Sequence, residues 1–326
     1  MLRDGGRMPT ASLVADIGGT NARFALAEGL SVRDGQTYAV RDHGQPVDAI
    51  RRYLDSVSVR PSRACLAVAG PVMDGNIPMT NSTWRFDRRG LAAELNLDEL
   101  VLINDFEAQA LALPHLGDKD RMAVGGGRAT EGGLRLVVGA GTGFGVAGLA
   151  RHGERWHALD GEGGNIAWAP LNARERAVHD VFVGKLLDGG RVRVVCEDVL
   201  SGIGLRRLYA AIATLESVPG DDLPEPEIIA RARARACPIC AEAIDLFAAV
   251  LGATAGDLAL VMGARGGVYV TGGVIAGLLD LLPASPFRSR FEEKGQVAHY
   301  ARAIPTWIVT APDTGLLGAA ARLAAD

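Results

Sequence analysis

Two glycine-rich turns and a small set of carboxylates are the residues of this 326-residue chain whose types and spacing can do chemistry. Asp16-Ile17-Gly18-Gly19-Thr20-Asn21 stands between apolar runs at 13–17 and 22–27, and Gly139-Ala140-Gly141-Thr142-Gly143-Phe144-Gly145 between runs at 134–138 and 146–150. Glycine permits positive φ and lets backbone N–H groups meet an anion with no Cβ in the way, so such turns can hold phosphates. Neither is a Walker A loop, which needs Gly-Lys-Ser/Thr. Neither is a dinucleotide fingerprint, because a strand rather than a helix follows. Each alone is equally a plain tight turn. As a pair at equivalent places in two halves, they point to a nucleotide's phosphates held between two domains.

Asp16, ending the first apolar run, suits Mg²⁺, which binds directly or through water to one or two carboxylates plus phosphate oxygens; it also suits a turn cap. Asp105 follows a run at 101–103 and sits between Asn104 and Phe106. A carboxylate at the C-terminal end of a strand suits a general base taking a proton from an attacking hydroxyl. The same position suits a helix N-cap. Glu162 in Gly161-Glu162-Gly163-Gly164-Asn165, and Glu197 before Asp198, lie among glycines or near turns, where a carboxylate can accept hydrogen bonds from adjacent sugar hydroxyls. A solvated turn residue is the plainer reading of each. Asn81-Ser82-Thr83-Trp84 reads as a polar wall with one aromatic, or as a loop around a buried tryptophan.

The elements that must position these residues follow from periodicity and punctuation. The first turn joins two strands. A helix is expected over 46–57, a strand over 64–69, and a strand over 101–103 that runs into a helix ending near 113. The second turn repeats strand, glycine turn, strand. A mainly helical stretch spans 174–263, broken at 189–190, 201–204 and 219–226. A strand over 267–271 meets the turn Gly272-Gly273, with a helix over 274–282, a strand over 306–310 and a closing helix over 312–325. Alternating β and α elements imply an α/β chain with mixed sheets, and the repeated opening suggests an internal duplication.

Composition narrows the classes. Hydrophobic residues at 48% and charged residues at 22% are ordinary for a folded chain, whereas 42 glycines are roughly twice the usual share. A net charge of −4 with no dense basic run leaves no electrostatic footprint for nucleic acid. Charge or glycine interrupts each apolar stretch before the roughly 18–20 residues a membrane span requires. Only Lys119, Lys185 and Lys294 are lysines, so a lysine-based phosphate site has few candidates. Four cysteines are too few and too scattered for a disulfide framework, which fits reduced thiols in the cytoplasm. Cys237-Pro238-Ile239-Cys240 has redox or half-zinc spacing but no second Cys/His pair nearby, and it reads foremost as a helix start. Residues 1–10 read as a frayed lead-in, with Met8 a candidate start.

Taken together, DIGGTNARFAL, AGPV, MTNSTWRF, INDFEAQALAL, GAGTGFGVA, GEGGN, EDVLSGIGL, GGVYVTGGV, SRFEEKG and DTGLLGAAARL occur in the order and spacing of bacterial ATP-dependent glucokinases. The chain resembles that family, within the hexokinase and actin-like ATPase superfamily, over nearly its whole length after residue 10. The resemblance implies two actin-like (ribonuclease H-like) domains with mixed β-sheets and an interdomain cleft. A small α/β domain would comprise 11–115 plus 312–326, and a large one, with the helical insertion, 116–311. It implies transfer of the ATP γ-phosphate to the 6-hydroxyl of glucose with Mg²⁺, and a homodimer. By matching position, Asp105 is the catalytic base; Asn81, Asn104, Asp105, Glu162, Asn165 and Glu197 bind the sugar. Asp16, Gly18, Gly19, Thr20, Asn21, Gly139, Gly141, Thr142, Gly143, Gly272 and Gly273 serve the nucleotide, Asp16 through Mg²⁺.

One departure stands out, since the family's sugar loop usually ends Gly-Gly-His where this chain has Asn165. Another hexose or an amino sugar is therefore the alternative substrate, and a non-catalytic sugar sensor the alternative class. The cysteine-rich zinc motif of the sister branch of sugar kinases and repressors is missing, and no helix-turn-helix extension precedes Asp16.

Overall fold

The computed structural model describes residues 11–325 apart from 73–75, 80–83, 188–189, 192 and 221. Asn81 and the lead-in 1–10 lie outside the described residues. The chain forms two compact units, one from Met1–Leu116, His152–Asp160 and Ala311–Asp326, the other from Gly117–Arg151 and Gly161–Thr310. Residues 152–160, expected in the large domain, group with the first unit.

The first unit is built on strands β1 (Ser12–Ile17), β2 (Asn21–Glu28) and β3 (Ser31–Ala39), helix α1 (Pro46–Val57), strands β4 (Arg63–Val68), β5 (Asn76–Pro78) and β6 (Arg85–Asp87), helix α2 (Arg88–Leu95), strand β7 (Glu99–Asn104) and helix α3 (Asp105–Ala112). Its sheet has the order β3-β2-β1-β4-β7. The β1–β2 and β2–β3 pairs are antiparallel, the β1–β4 and β4–β7 pairs parallel. Alternation along the strands splits their side chains between two faces. Leu13, Ala15, Ile17, Leu66 and Val68 join Ile50 and Tyr53 of α1 in one cluster. Val14, Cys65 and Ala67 point the other way, toward Ala108 of α3 and toward Leu316, Ala319 and Leu323.

In the second unit the strands are β8 (Arg121–Ala123), β9 (Arg135–Ala140) and β10 (Phe144–His152); β11 (Arg155–Gly161), after the hairpin turn, belongs up to Asp160 to the segment grouped with the first unit. Helices α4 (Ala173–Leu187), α5 (Cys196–Val199), α6 (Gly202–Leu215), α7 (Glu225–Arg233) and α8 (Pro238–Met262) come next. Strand β12 (Gly267–Thr271), helices α9 (Gly273–Gly277), α10 (Phe287–Glu292) and α11 (Ala298–Ala303) and strand β13 (Thr306–Val309) complete it. The order β10-β9-β12-β13-β8 runs through this sheet. Here β9 pairs antiparallel with β10 and parallel with β12, and β12 parallel with β13. That repeats β2-β1-β4-β7 in both order and sense, so the duplication suggested by the two glycine turns is present in the strand topology. The closing helix α12 (Thr314–Ala324) supplies Leu316, Ala319 and Leu323 to the first unit.

Three expectations need correction. The helix expected over 274–282 stops at Gly277, with a 3-10 turn at Leu282–Ala284; Pro283 has no N–H and clashes with a helical carbonyl four residues back. Strand β3 was not anticipated, because most of its residues are exposed and polar and carry no apolar alternation. Helix α8 is long and apolar enough, by length and composition, to cross a membrane, against the expectation that charge or glycine breaks every such run. Its apolar stretch is 72% buried inside the structure, with Phe247 and Leu251 fully covered in the core of the second unit, as befits a central core helix.

Candidate functional site

In the first unit, the β1–β2 register sets Asp16 opposite Arg23 and leaves Gly18-Gly19-Thr20 as the connecting turn. The turn is closed by its own backbone, Gly18 N–H donating to the Asn21 carbonyl at 2.9 Å, and Val40 N–H donates to the Thr20 carbonyl at 2.9 Å. Asp16 shares a sheet face with Val14, beneath α12, and its side chain is only 17% exposed. Arg23 Nη1 reaches Asp16 Oδ2 at 3.4 Å while its Nε lies 4.0 Å from Asp313 Oδ1. Burial pushes the Asp16 carboxyl above the usual carboxylate range, Arg23 offsets only part of that, and Asp313 adds to it. Gly315 allows this packing: a Cβ there would stand 2.7 Å from Asp16 Cγ. Thr314 Oγ1 donates to Gln109 Oε1 at 2.6 Å, fastening the start of α12 to α3.

At the far edge of the same sheet, β7 ends at Asn104 and α3 begins at Asp105. The capping role considered for Asp105 belongs to its neighbour. Asn104 is the N-cap: its Oδ1 accepts from Phe106 N–H at 2.8 Å and Glu107 N–H at 3.3 Å, and its Nδ2 donates to the Gly70 carbonyl at 3.0 Å. An amide nitrogen carries two N–H donors, and Gly70 takes one. Asp105 is the first helical residue, half-buried, with Oδ1 accepting from Phe106 N–H at 3.0 Å. Its neighbour therefore holds the helix start that fixes its position.

In the second unit, the other predicted residues converge. Gly141 N–H donates to the Gly143 carbonyl at 2.9 Å, closing the β9–β10 turn. Phe144 N–H donates to Glu197 Oε2 at 2.9 Å. A Cβ on Gly143 would overlap that Glu197 oxygen, and one on Gly164 would overlap the Phe144 carbonyl while lying 3.6 Å from Glu197 Oε2. The loop Gly161–Asn165 thus lies flat on β10, with Glu197 beside both it and the turn. Asn165 is exposed; its N–H donates to the Glu162 carbonyl at 3.0 Å, and its carbonyl accepts from Arg193 Nη2 at 3.2 Å. Gly202 N–H donates to the Gly141 carbonyl at 2.9 Å, and a Cβ on Gly141 would be 3.9 Å from Gly273 N. Gly139–Gly143, the N-terminus of α6 and Gly272-Gly273 therefore meet.

The expected reason for the glycines changes with the geometry. Among the described residues, Gly272 has positive φ, at 108°, whereas Gly18, Gly19, Gly139, Gly141 and Gly143 do not. Close approach, not the left-handed region, is what Gly143 and Gly164 provide. Sequence reading missed Arg23, Gly315 and the start of α6. Ser201, which reads as punctuation in the sequence, caps α6 by accepting from Gly204 N–H at 3.0 Å. A serine before an apolar helical run was the available signal. Among the described residues no group of three or more His, Cys, Asp or Glu could hold a metal. A cavity of about 640 Å³ in the first unit, with Leu111, His115, Trp156 and Arg322 in its wall, contains none of the predicted site residues.

A family model described as Glucokinase matches residues 13–326. The glucokinase of Chromohalobacter salexigens is 44% identical over 315 residues, covering 96% of this chain and 97% of that one. A crystal structure of glucokinase from an Antarctic psychrotroph superposes with TM-score 0.84 at 35% identity, covering 97% of this chain and 99% of that one. A crystal structure of Balamuthia mandrillaris glucokinase in complex with glucose shares the fold, at TM-score 0.84 and 22% identity over 99% of this chain and 95% of that one.

Proposed function

The chain belongs to the glucokinase family, and from that premise we propose that it transfers the γ-phosphoryl group of ATP to the 6-hydroxyl of glucose with Asp105 as general base. The match of residues 13–326 to the family model carries the reading. At the level of residues it is supported by Asp105 standing at the first turn of α3, fixed by the Asn104 cap.

Phosphoryl transfer needs mainly positioning and charge stabilisation. Asp105 accepts the 6-hydroxyl proton and Asn104 orients the sugar with its second N–H. Glu162, Asn165 and Glu197, together with Asn81, hold the other hydroxyls. The backbone of Gly18, Gly19, Thr20 and Asn21, and of Gly139, Gly141, Thr142 and Gly143, serves the phosphates of ATP, with Gly272 and Gly273 on the nucleotide side. The N-terminus of α6, hydrogen-bonded to Gly141, adds a positive dipole end there. Asp16 fits Mg²⁺: it is a hard oxygen donor, largely buried, and Arg23 compensates its charge only in part. Bound Mg²⁺ would neutralise phosphate charge. The same reading places the enzyme in the cytoplasm as a homodimer, which light scattering on the purified protein tests.

The test is sugar-dependent ADP release across glucose, other hexoses and amino sugars. Glucose is expected to lead. A different leading sugar points to Asn165 as the selecting residue, and no sugar-dependent release with any substrate overturns the kinase reading. Asp105→Asn should keep the fold and lower kcat by roughly 10²-fold or more. A variant with kcat near wild type removes Asp105 from the role of base.

A further inference from the structure

Cys237 and Cys240 take no part in the reaction above, and their placement differs from that of the other thiols. Cys65 and Cys196 are buried, as is Cys240, whereas Cys237 is partly exposed. Cys237 is the N-cap of the 25-residue helix α8, and its Sγ lies 3.3 Å from Cys240 N–H, which donates to it. Pro238, at the first helical position, presets this turn. The two cysteines thus stand one helical turn apart, Cys240 within the core and Cys237 partly buried at its edge.

We propose that Cys237 and Cys240 form a reversible redox pair, in which Cys237 is the attacking thiolate and Cys240 the resolving thiol, with a hydroperoxide as oxidant. The Cys237 thiolate attacks one peroxide oxygen, the O–O bond breaks, and the other oxygen leaves as hydroxide and is protonated to water. Cys240 sulfur then attacks the sulfenic sulfur of Cys237. The S–S bond forms as the S–O bond breaks, and the Cys240 proton leaves with the hydroxyl as a second water. Two thiols and one hydrogen peroxide give one disulfide and two waters.

The surroundings support the division of labour. Burial pushes the Cys237 thiol up, but N–H groups of Cys240 and Ile239, the Cys240 thiol and the Arg231 charge outweigh it, leaving it below the ordinary thiol range. Burial first, then Cys237 itself, push the Cys240 thiol up to about 12. Arg231 and Glu227, paired at 2.7 Å, are the charged groups of α7 that act on the two thiols. A thiolate at a helix N-terminus in Cys-X-X-Cys spacing, with a protonated partner, is the arrangement of dithiol redox centres. Zinc is the weaker reading of the spacing, because no group of three ligands exists among the described residues.

The full-length reduced protein should be treated with limiting hydrogen peroxide, quenched by alkylation and mapped by peptide mass spectrometry. A Cys237–Cys240 cross-link, lighter by two hydrogens and reversed by a thiol reductant, is expected before any change at Cys65 or Cys196. In Cys240→Ser a dimedone adduct should accumulate at Cys237. Alkylation of reduced wild type at pH 7 should be at least ~10-fold faster at Cys237 than at Cys65 or Cys196. Cys237→Ser keeps a good N-cap residue, and in it peroxide should leave Cys240 unmodified at the same dose. Oxidation of Cys65 or Cys196 at equal rates, no cross-link under peroxide, or no Cys237 adduct in Cys240→Ser overturns the proposal.

Discussion

The two glycine turns look alike in sequence and close in the same way, each by one N–H to a carbonyl inside the turn, Gly18 to Asn21 and Gly141 to Gly143. What lies behind them differs. The first is roomy: a Cβ on Gly18 would meet nothing nearer than the Asn21 carbonyl at 3.8 Å. Its chemistry is one carboxylate, Asp16, kept short of positive charge and pressed by Gly315. The second is buttressed by a carboxylate of its own, Glu197, that takes the Phe144 N–H and forbids a side chain at Gly143. A single sequence signature thus covers two physical uses of glycine, and mutations should tell them apart.

The largest effect is expected at Glu197, the support of the second turn. Glu197→Ala removes a charged acceptor of Phe144 N–H and, on the function proposed above, a sugar ligand at once, so kcat/KM for glucose should fall about 10²-fold or more. Glu197→Gln keeps an oxygen for Phe144 and should hold its melting temperature better than the alanine variant, measured by calorimetry. Equal destabilisation by both would mean that the hydrogen bond does not brace the turn.

Asp16→Asn tests the first turn, with kcat/KM for ATP falling about 10- to 100-fold, the range seen when support of a metal site is lost. Stability should move the other way. The folded Asp16 carboxyl lies above its ordinary value, so the folded chain keeps a proton that the unfolded chain has released. Wild-type stability therefore falls as pH rises from about 4 through the raised value, and stays lower above it. The asparagine variant should melt higher at pH 7, with the gap closing toward pH 4. A variant that melts lower at neutral pH would show that Arg23 fully compensates the carboxylate.

The glycines themselves give a smaller, purely structural contrast. Gly164→Ala drives a methyl into the Phe144 carbonyl and should cost ~1–3 kcal/mol in denaturant titrations. Gly18→Ala should change stability by less than ~0.5 kcal/mol, since φ there is ordinary and the space is open. Similar costs at both would dissolve the distinction. The smallest effect is expected from Asn165→His on its exposed loop, which should lower the glucose KM by less than ~10-fold.

Much of the fold was readable because β1, β4, β9 and β12 are apolar runs bounded by glycine or charge, a pattern visible within a few residues. Strand β3 was not, since it is an exposed edge strand held by pairing rather than by its own periodicity. Asp105 and Glu197 were legible as carboxylates at a strand end and near a turn, and the structure has them at the start of α3 and beside the β9–β10 turn. Neither the brace on Glu197 nor the Arg23 pairing could be read, because register and packing decide them. Gly315 lies some three hundred residues from the Asp16 it permits, and no local pattern links the two. The glycine excess itself was legible, but its cause at Gly143 and Gly164 was not: steric closeness leaves no mark in sequence that separates it from backbone torsion.

Helix α12 sets the order in which the first unit can mature. Strands β1, β2, β4 and β7 leave the ribosome early, yet the face carrying Val14, Cys65 and Ala67 lacks the cover of Leu316, Ala319 and Leu323 until residues 314–324 emerge. At roughly 5–20 residues per second, the intervening two hundred or so residues take on the order of 10–40 s to make. Throughout that interval a nascent chain bears an uncovered apolar sheet face, a natural target for chaperones. A translation product stopped short of α12 would also lack the glycine that seats Asp16.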